Sequence, residues 1–236
     1  MSDKFTKKRI RLVRDESPGD PRNDWDNATR MYCLHRQYSL GDSDKVLGFA
    51  GKETGIRMRD TTEGPRSFWQ DIERMLTKDQ KAVTILPLYL YDHSSLTVKI
   101  DDFGSASLPQ GHCQFDTMRL GFIYTTWDLI RKCHPDWKRF SPQRINWVRS
   151  NMDKDVEMYN QYLNNDVWGF EVEELVCEKC GTWECIDSCY GFYGSDWGAN
   201  GVLDFIDEYI AQGIKLYGPD GDDITPKMKE TTNGCN

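Results

Sequence analysis

Hydrophobic and polar residues alternate along several stretches of this chain with the period of two that is typical of strands. The stretches "RIRLVR" and "ATRMYCLHRQY" place charged and apolar residues in turn, which predicts strands with one buried face. The run "AVTILPLYLYDH" is almost continuously apolar, which predicts a central strand covered on both faces, with Pro87 at a bulge or a non-donating position. Further strands are predicted in "LGFIYTT" and at residues 95–100, 167–176 and 183–193.

Other stretches carry apolar residues three and four positions apart, which is the spacing of one helix face. They are "PRSFWQDIERMLTKD", "GVLDFIDEYIAQG" and "SPQRINWVRSNMDKDVEMYNQYLNN". In the last of these, Ser141 is placed to cap the helix and Pro142 suits its first turn. Strand groups and helices follow one another without a regular βαβ period. This order predicts an α+β fold, in which a largely antiparallel sheet packs against two or three helices.

The length of 236 residues allows a self-sufficient hydrophobic core. The segment "GPDGDDITPKMKETTNGCN" has little to bury, so we expect one α+β domain over residues 1–216 and a mobile C-terminal tail over residues 217–236. No apolar run approaches the ~20 residues of a membrane helix, and no signal-peptide-like segment follows the charged start. We therefore expect a soluble protein that stays where it is made and has no membrane contact.

The net charge of −8 is unevenly distributed. Residues 1–150 hold 25 Lys and Arg against 20 Asp and Glu, whereas residues 151–236 hold 5 against 18. The acidic C-terminal third is either a solvated face that maintains solubility or a surface that binds a partner. An acidic balance argues against general binding to nucleic acid, except through the short basic arm "KFTKKRIRLVR", which can touch an anion locally.

Asp92, His93 and Ser94 stand in a row and are the residue types of hydrolytic sites. On a strand, neighbouring side chains point to opposite faces, so Asp92 and Ser94 would lie on one face and His93 on the other. No G-x-S-x-G elbow surrounds the serine. The favoured interpretation is a strand end whose Asp and Ser hydrogen-bond to neighbouring backbone and whose His packs or faces water, with no catalytic residue. The alternative is a metal-dependent hydrolase or nuclease, in which His112 and Asp116 converge with the first two residues.

Eight cysteines without a secretory signal indicate free thiols or metal ligands in preference to disulfides. Cys177 and Cys180 form a C-x-x-C-G turn, which is half of a typical zinc site, and Cys185 and Cys189 follow on the predicted return strand. The second pair departs from the C-x-x-C repeat of zinc ribbons. Two alternatives stay open: a structural zinc ion on these four cysteines, or no cofactor and reduced thiols on an exposed hairpin.

Aromatic residues are dense in "VWGF" and "TWECIDSCYGFYGSDWG", where glycines and acids separate them. Such a stretch is either the buried side of ordinary strands or a recognition surface built from aromatic rings with polar tips. If it is a recognition surface, its candidate binding residues are Asp187, Tyr190 and Tyr193.

Five blocks occur in this order: "SPGDPRNDWDNATRMYCLHRQYSLGD", "LPLYLYDHSSLTV", "CQFDTMRLGFIY", "VEMYNQYLNNDVWGF" and "DSCYGFYG". Over residues 9–215 the chain thereby resembles a family of accessory proteins, without an assigned activity, that tailed phages, plasmids and other mobile elements carry. Its members read "PREWDN", "YDHSGIT" and "C-x-W-D-S-G" at the corresponding places. The matching positions are Asp92, His93, Cys113, Asp116, Asp187 and Cys189. Ser95 departs from the glycine of the pattern.

The resemblance implies the origin and context of the protein more than its mechanism. Together with the acidic C-terminal third, the aromatic stretch and the absence of a credible catalytic line, it leads us to expect an accessory protein that binds a host component in the host cytoplasm and counters a host defence. The partner would be a host protein or a small signalling ligand. Two routes are open: an acidic surface that imitates nucleic acid, or a polar pocket that captures a small ligand near Asp92, His93, Ser94 and Asp116. The alternatives are the metal-dependent enzyme described above and a DNA-binding regulator that acts through the basic arm.

Overall fold

The computed structural model describes residues 7–35, 37–42, 65–100, 116–139 and 141–225. Within these ranges the helices are α1 (Pro65–Lys78), α2 (Trp127–Cys133), α3 (Pro142–Leu163) and α4 (Val202–Ala211). The strands are β1 (Lys8–Arg14), β2 (Arg30–Cys33), β3 (Ala82–His93), β4 (Ser95–Ile100), β5 (Thr117–Thr126), β6 (Val167–Cys177), β7 (Thr182–Tyr193) and β8 (Lys215–Tyr217). They form two mostly antiparallel four-stranded sheets, which confirms the predicted α+β class. No helix in these ranges has the length and apolar character to cross a membrane.

The chain divides into two compact units, and the predicted domain over residues 1–216 spans both. Unit 1 combines residues 1–19 with residues 164–236, and unit 2 consists of residues 20–163. In unit 1 the strand order is β7-β6-β1-β8. Strand β1 runs antiparallel to β6 and parallel to β8, so the N-terminal strand lies between two strands from the other end of the chain.

One face of the unit 1 sheet is covered by helix α4. Ile10 and Leu12 of β1 pair in register with Val172 and Phe170 of β6, and these four side chains are nearly inaccessible to solvent. The helix adds its buried residues to the same cluster, namely Val202 and Ile206. Because side chains alternate along a strand, the residues between these apolar positions face away from the helix.

Unit 2 has the strand order β2-β5-β3-β4, with all neighbours antiparallel. Ile123 of β5 packs in a cluster with α3, whereas Phe122 and Tyr124 pack in a separate cluster with α1. Helices therefore cover both faces of this sheet. Strand β3 is an inner strand, as its continuous apolar run predicted.

The described part of the predicted tail extends the packed structure of unit 1. Ile224 is 7% exposed and belongs to the α4 core cluster. Its backbone N–H donates to the Leu216 carbonyl at 2.9 Å, and the Leu216 N–H donates to Thr225 Oγ1 at 2.7 Å. The tail was expected to have little to bury, but this short segment packs through one apolar side chain and through hydrogen bonds to Leu216. Residues 226–236 lie outside the described residues.

Candidate functional site

The predicted block Asp92, His93 and Ser94 forms the end of the β3–β4 hairpin in unit 2. Ser94 has a positive φ of 58° at the tip, so the backbone turns there and Ser94 does not continue the face of Asp92 as strand alternation predicted. Asp92 accepts a hydrogen bond from Tyr38, and its negative charge raises the pKa of that tyrosine. His93 Nδ1 lies 3.4 Å from Asp116 Oδ2. Asp92 and His93 thus contact different residues, and the side chains of Asp92, His93 and Ser94 do not form a catalytic triad.

The metal-dependent alternative depends on residues that the structure covers only in part. Asp92, His93 and Asp116 are described, and the last two are in contact. His112 lies outside the described residues, as do Cys113 and Cys235. Among the described side chains, no group of three or more His, Cys, Asp or Glu residues has a geometry that could hold a metal ion.

The four candidate zinc ligands lie along the β6–β7 hairpin but do not form one site. Cys185 pairs with Glu173, whereas Cys189 pairs with Phe170, and a bulge separates these pairs. Glu173 and Phe170 point to opposite faces of the sheet because they are three residues apart on one strand. A single tetrahedral ion cannot bridge thiols on opposite faces, so this geometry does not bring all four cysteines around one ion, and zinc at this hairpin stays a prediction.

Cys177 and Cys180 are nevertheless close together in the hairpin turn. Cys180 hydrogen-bonds Cys177 and lies 2.9 Å from Thr182 Oγ1. These hydrogen bonds, the one from Cys177 being the strongest contribution, lower the pKa of the exposed Cys180 thiol. The turn therefore presents one activated thiol beside a second one.

Asp187, Tyr190 and Tyr193 each have a partner inside unit 1. Asp187 Oδ2 accepts a hydrogen bond from Tyr209 of α4 at 2.7 Å, and the Tyr193 hydroxyl donates to the Gly19 carbonyl at 2.5 Å. Tyr193 is only 9% exposed and acts as a structural contact. Tyr190 is 45% exposed and donates to Glu171 at 2.7 Å, which raises the pKa of Tyr190 to about 12. Of the three predicted binding residues, only Tyr190 offers its ring to a partner.

Unit 2 contains a buried charge network that the sequence pattern did not predict. Arg22 is 1% exposed and donates to Asp42 Oδ2 at 2.8 Å and to the Thr29 carbonyl at 2.9 Å. Asp42 is fully buried and also accepts from Arg30 and from the Met31 backbone N–H. These contacts fasten the loop "PRNDWDN" and the turn "SLGD" to strand β2. The network therefore gives both ends of the first of the five sequence blocks a structural role.

A further polar site among the described residues lies on the face of the unit 1 sheet opposite α4. Arg9 and Arg11 occupy the β1 positions that alternate with the core residues, in register with Lys215 and Tyr217 of β8. The basic arm had been noted from the sequence, but its neighbours on β7 and β8 come from more than 170 residues away. These neighbours could not be predicted from the sequence, because they depend on the order of the strands in the sheet.

These residues line an open cleft of about 510 Å³, which we call the basic cleft. Its lining contains five cations, two aromatic rings and two glycines: Lys7, Lys8, Arg9, Arg11, Lys215, Trp183, Tyr217, Gly213 and Gly221. Glu173 Oε2 accepts from Arg9 Nε at 2.5 Å, and its Oε1 accepts from Arg11 at 3.3 Å. The Arg9 guanidinium also lies 4.1 Å above the Trp183 ring. One carboxylate and one indole thus hold Arg9 in place.

Comparisons of the chain with protein-family models, with curated proteins and with solved structures find no significant match. The basic cleft must therefore be interpreted from its own chemistry.

Proposed function

We propose that this protein is an accessory protein of a phage or another mobile element, and that it counters a host defence by capturing a small anionic ligand. The observation that supports this function is the basic cleft in unit 1. Capture requires binding only, so the proposal assigns no catalytic residue. It keeps the small-ligand route expected from the sequence but moves the site from the β3–β4 hairpin of unit 2 to the sheet face of unit 1.

The charge of the cleft contrasts with that of the unit that carries it. Unit 1 contains 10 Lys and Arg against 18 Asp and Glu, yet five of these cations line one cleft. Three carboxylates pair with four of them: Glu173 with both arginines, Glu178 with Lys7 and Asp223 with Lys215. The remaining positive charge favours an anion, and the surrounding acidic surface disfavours a long polyanion.

Among the exposed cations of the cleft, Arg11 and Lys215 lie on the adjacent strands β1 and β8 and can contact one ligand together. The side chain of Arg11 is 44% exposed and that of Lys215 is 63% exposed. Asp223 accepts a hydrogen bond from Lys215 at 2.8 Å and raises the pKa of its ammonium group, which keeps the charge at neutral pH. Both groups can therefore contact a phosphate or carboxylate without a new burial of charge.

The test is to recover the ligand from protein purified out of bacteria. We expect denaturation of the wild-type protein to release a small anion that mass spectrometry detects in near-equal molar amount. The double variant Arg11→Glu with Lys215→Glu should release little of it. A matched double variant, Lys154→Glu with Lys179→Glu, changes the net charge equally at exposed sites outside the cleft and should retain the anion.

The same proteins should be expressed in bacterial strains that carry different defence systems, followed by phage infection. We expect the wild-type chain and the matched variant to raise plaque counts in at least one strain, and the cleft variant to lose this effect. Absence of any released anion together with unchanged plaque counts would refute the proposed function.

A host protein with a basic surface is the second candidate partner. Strand β7 is an edge strand of its sheet, and eight of its twelve residues are exposed. Exposed carboxylates occur at and beside it, at Glu178, Glu184 and Asp187. Charge complementarity therefore favours a basic partner on this hairpin. Replacing Glu184 by lysine should abolish defence inhibition if this surface acts, while the released anion should be unaffected, because Glu184 does not line the basic cleft.

A further inference from the structure

We infer that the ligand of the basic cleft is a nucleoside phosphate, with its phosphate on Arg11 and Lys215 and its base stacked against the Trp183–Arg9 pair. This inference rests on the proposed function and names the class of ligand that the cleft takes. A simple inorganic anion would need the cations alone. The aromatic part of the lining indicates that the ligand has a flat ring as well as a negative charge.

The Trp183–Arg9 pair forms a flat platform on the open sheet face. Arg9 is fixed on one side by the Glu173 carboxylate, at 2.5 Å, and on the other by the indole ring, at 4.1 Å. The Glu173 side chain is 11% exposed, so this carboxylate is itself held in the sheet. This stacked pair of a guanidinium and an indole is suited to stacking with a nucleobase, because the base can extend the stack on a π surface whose side chains are already held in place.

The phosphate contacts lie on the adjacent strands β1 and β8. Arg11 is in register with Tyr217, and Lys215 is in register with Arg9, so the two cations are diagonal neighbours across parallel strands. Their long side chains can reach a common phosphate from this spacing. Arg11 uses Nη1 for Glu173, at 3.3 Å, which leaves further N–H groups for phosphate oxygens.

The remaining walls leave room for the ligand. Gly213 and Gly221 line the cleft with backbone only, and a Cβ atom at either position would meet no atom within 4 Å. The volume of about 510 Å³ lies within the range of small-molecule sites. A solvated sheet face with ordinary cross-strand ion pairs would carry the same charged residues without binding a ligand. It would not account for a cleft of about 510 Å³ that an aromatic ring and two glycines line beside the cations.

The experiment is isothermal titration calorimetry with defined probes. Inorganic phosphate and pyrophosphate serve as references without a base, and the four ribonucleoside 5′-monophosphates and 5′-diphosphates are the test ligands. We expect at least one nucleotide to bind roughly tenfold more tightly than the reference with the same number of phosphates, as stacking on an aromatic side chain typically provides. Higher salt should weaken every probe that binds through its phosphate.

Three variants separate the contributions of the base and the phosphate. Trp183→Ala should remove the advantage of the nucleotide and leave pyrophosphate binding unchanged, whereas Trp183→Phe should restore part of it. Arg11→Gln should weaken both kinds of probe. Trp25→Ala, which removes an exposed tryptophan outside the cleft, and Lys179→Gln are the matched controls and should bind like the wild type. Circular dichroism spectra and unfolding temperatures should confirm that each variant is folded.

The outcomes distinguish this inference from the proposed function. Equal affinities for nucleotides and base-free references would overturn the nucleotide assignment and leave capture of an anion standing. Absence of binding by all probes, combined with the absence of a released anion from purified protein, would overturn both. A ten-nucleotide oligo(dT) that binds far more tightly than any mononucleotide would overturn the small-ligand assignment in favour of single-stranded nucleic acid.

Discussion

The substitution Asp42→Asn tests the buried charge network of unit 2, because it removes a charge while it preserves the shape of the side chain. Asp42 is fully buried, and its carboxylate accepts from Arg22 at 2.8 Å, from Arg30 at 3.3 Å and from the Met31 N–H at 2.5 Å. The substitution leaves a 1% exposed guanidinium without its close counter-ion. Breaking a buried pair in this way costs about 3–5 kcal/mol of unfolding free energy.

Asp155→Asn is the matched comparison, since the same guanidinium contacts both carboxylates. Asp155 lies farther from Arg22, at 3.5 Å, and its side chain is 24% exposed. Burial raises the pKa of Asp155, so its ionised form is already disfavoured in the folded protein. We therefore expect Asp155→Asn to destabilise the protein by about 1 kcal/mol or less, as for the loss of one partly exposed interaction.

Urea unfolding followed by circular dichroism measures both variants, with the slope against urea used to verify that the same surface unfolds. Hydrogen exchange of strand β2 reports on unit 2 directly, since the Met31 N–H donates to the Asp42 carboxylate. We expect this amide to lose protection in Asp42→Asn and to keep it in Asp155→Asn. Equal destabilisation by the two substitutions would show that the buried Arg22–Asp42 contact contributes no more to the unfolding free energy than the Arg22–Asp155 contact.

Three further predictions test other features. Cys180 should react with iodoacetamide faster than the other described cysteines at pH 7, because its pKa is lowered from the ordinary value of 9.0 and a larger fraction of it is thiolate at this pH. Cys33 is buried and its pKa is raised, so it should react last. Peptide mass spectrometry measures the order of reaction, and the reverse order would contradict the prediction. Gly121→Ala should prevent stable folding, because its Cβ would lie 1.8 Å from the Tyr32 carbonyl oxygen; a soluble, wild-type-like yield would refute the contact. Tyr159→Phe should cost about 1–3 kcal/mol in urea unfolding, because the Gly41 N–H loses its acceptor at 2.8 Å; an unchanged midpoint would be inconsistent with that hydrogen bond.

Local sequence periodicity determined most of the secondary structure. The apolar face of α3 is encoded by residues three and four apart, and Val148, Met152, Val156 and Tyr159 are all buried as that spacing requires. The strands β3, β6 and β7 were likewise indicated by their composition and alternation. Short elements were missed: α2 has seven residues and β8 has three, and neither is long enough to show a period.

The tertiary structure decided which strands share a sheet and, through that, where the cleft lies. Residues Lys8–Arg14 lie between strands from the far end of the chain, and such distant pairings leave no local pattern. A bulge between the pairs Val172–Asp187 and Glu173–Cys185 places Cys185 and Cys189 on opposite faces, although an even spacing of four residues puts two side chains on one face of a regular strand. The sequence by itself determined the elements and their buried faces, because these depend on neighbours a few residues away. The cleft depended on strand order and register, which only long-range packing sets.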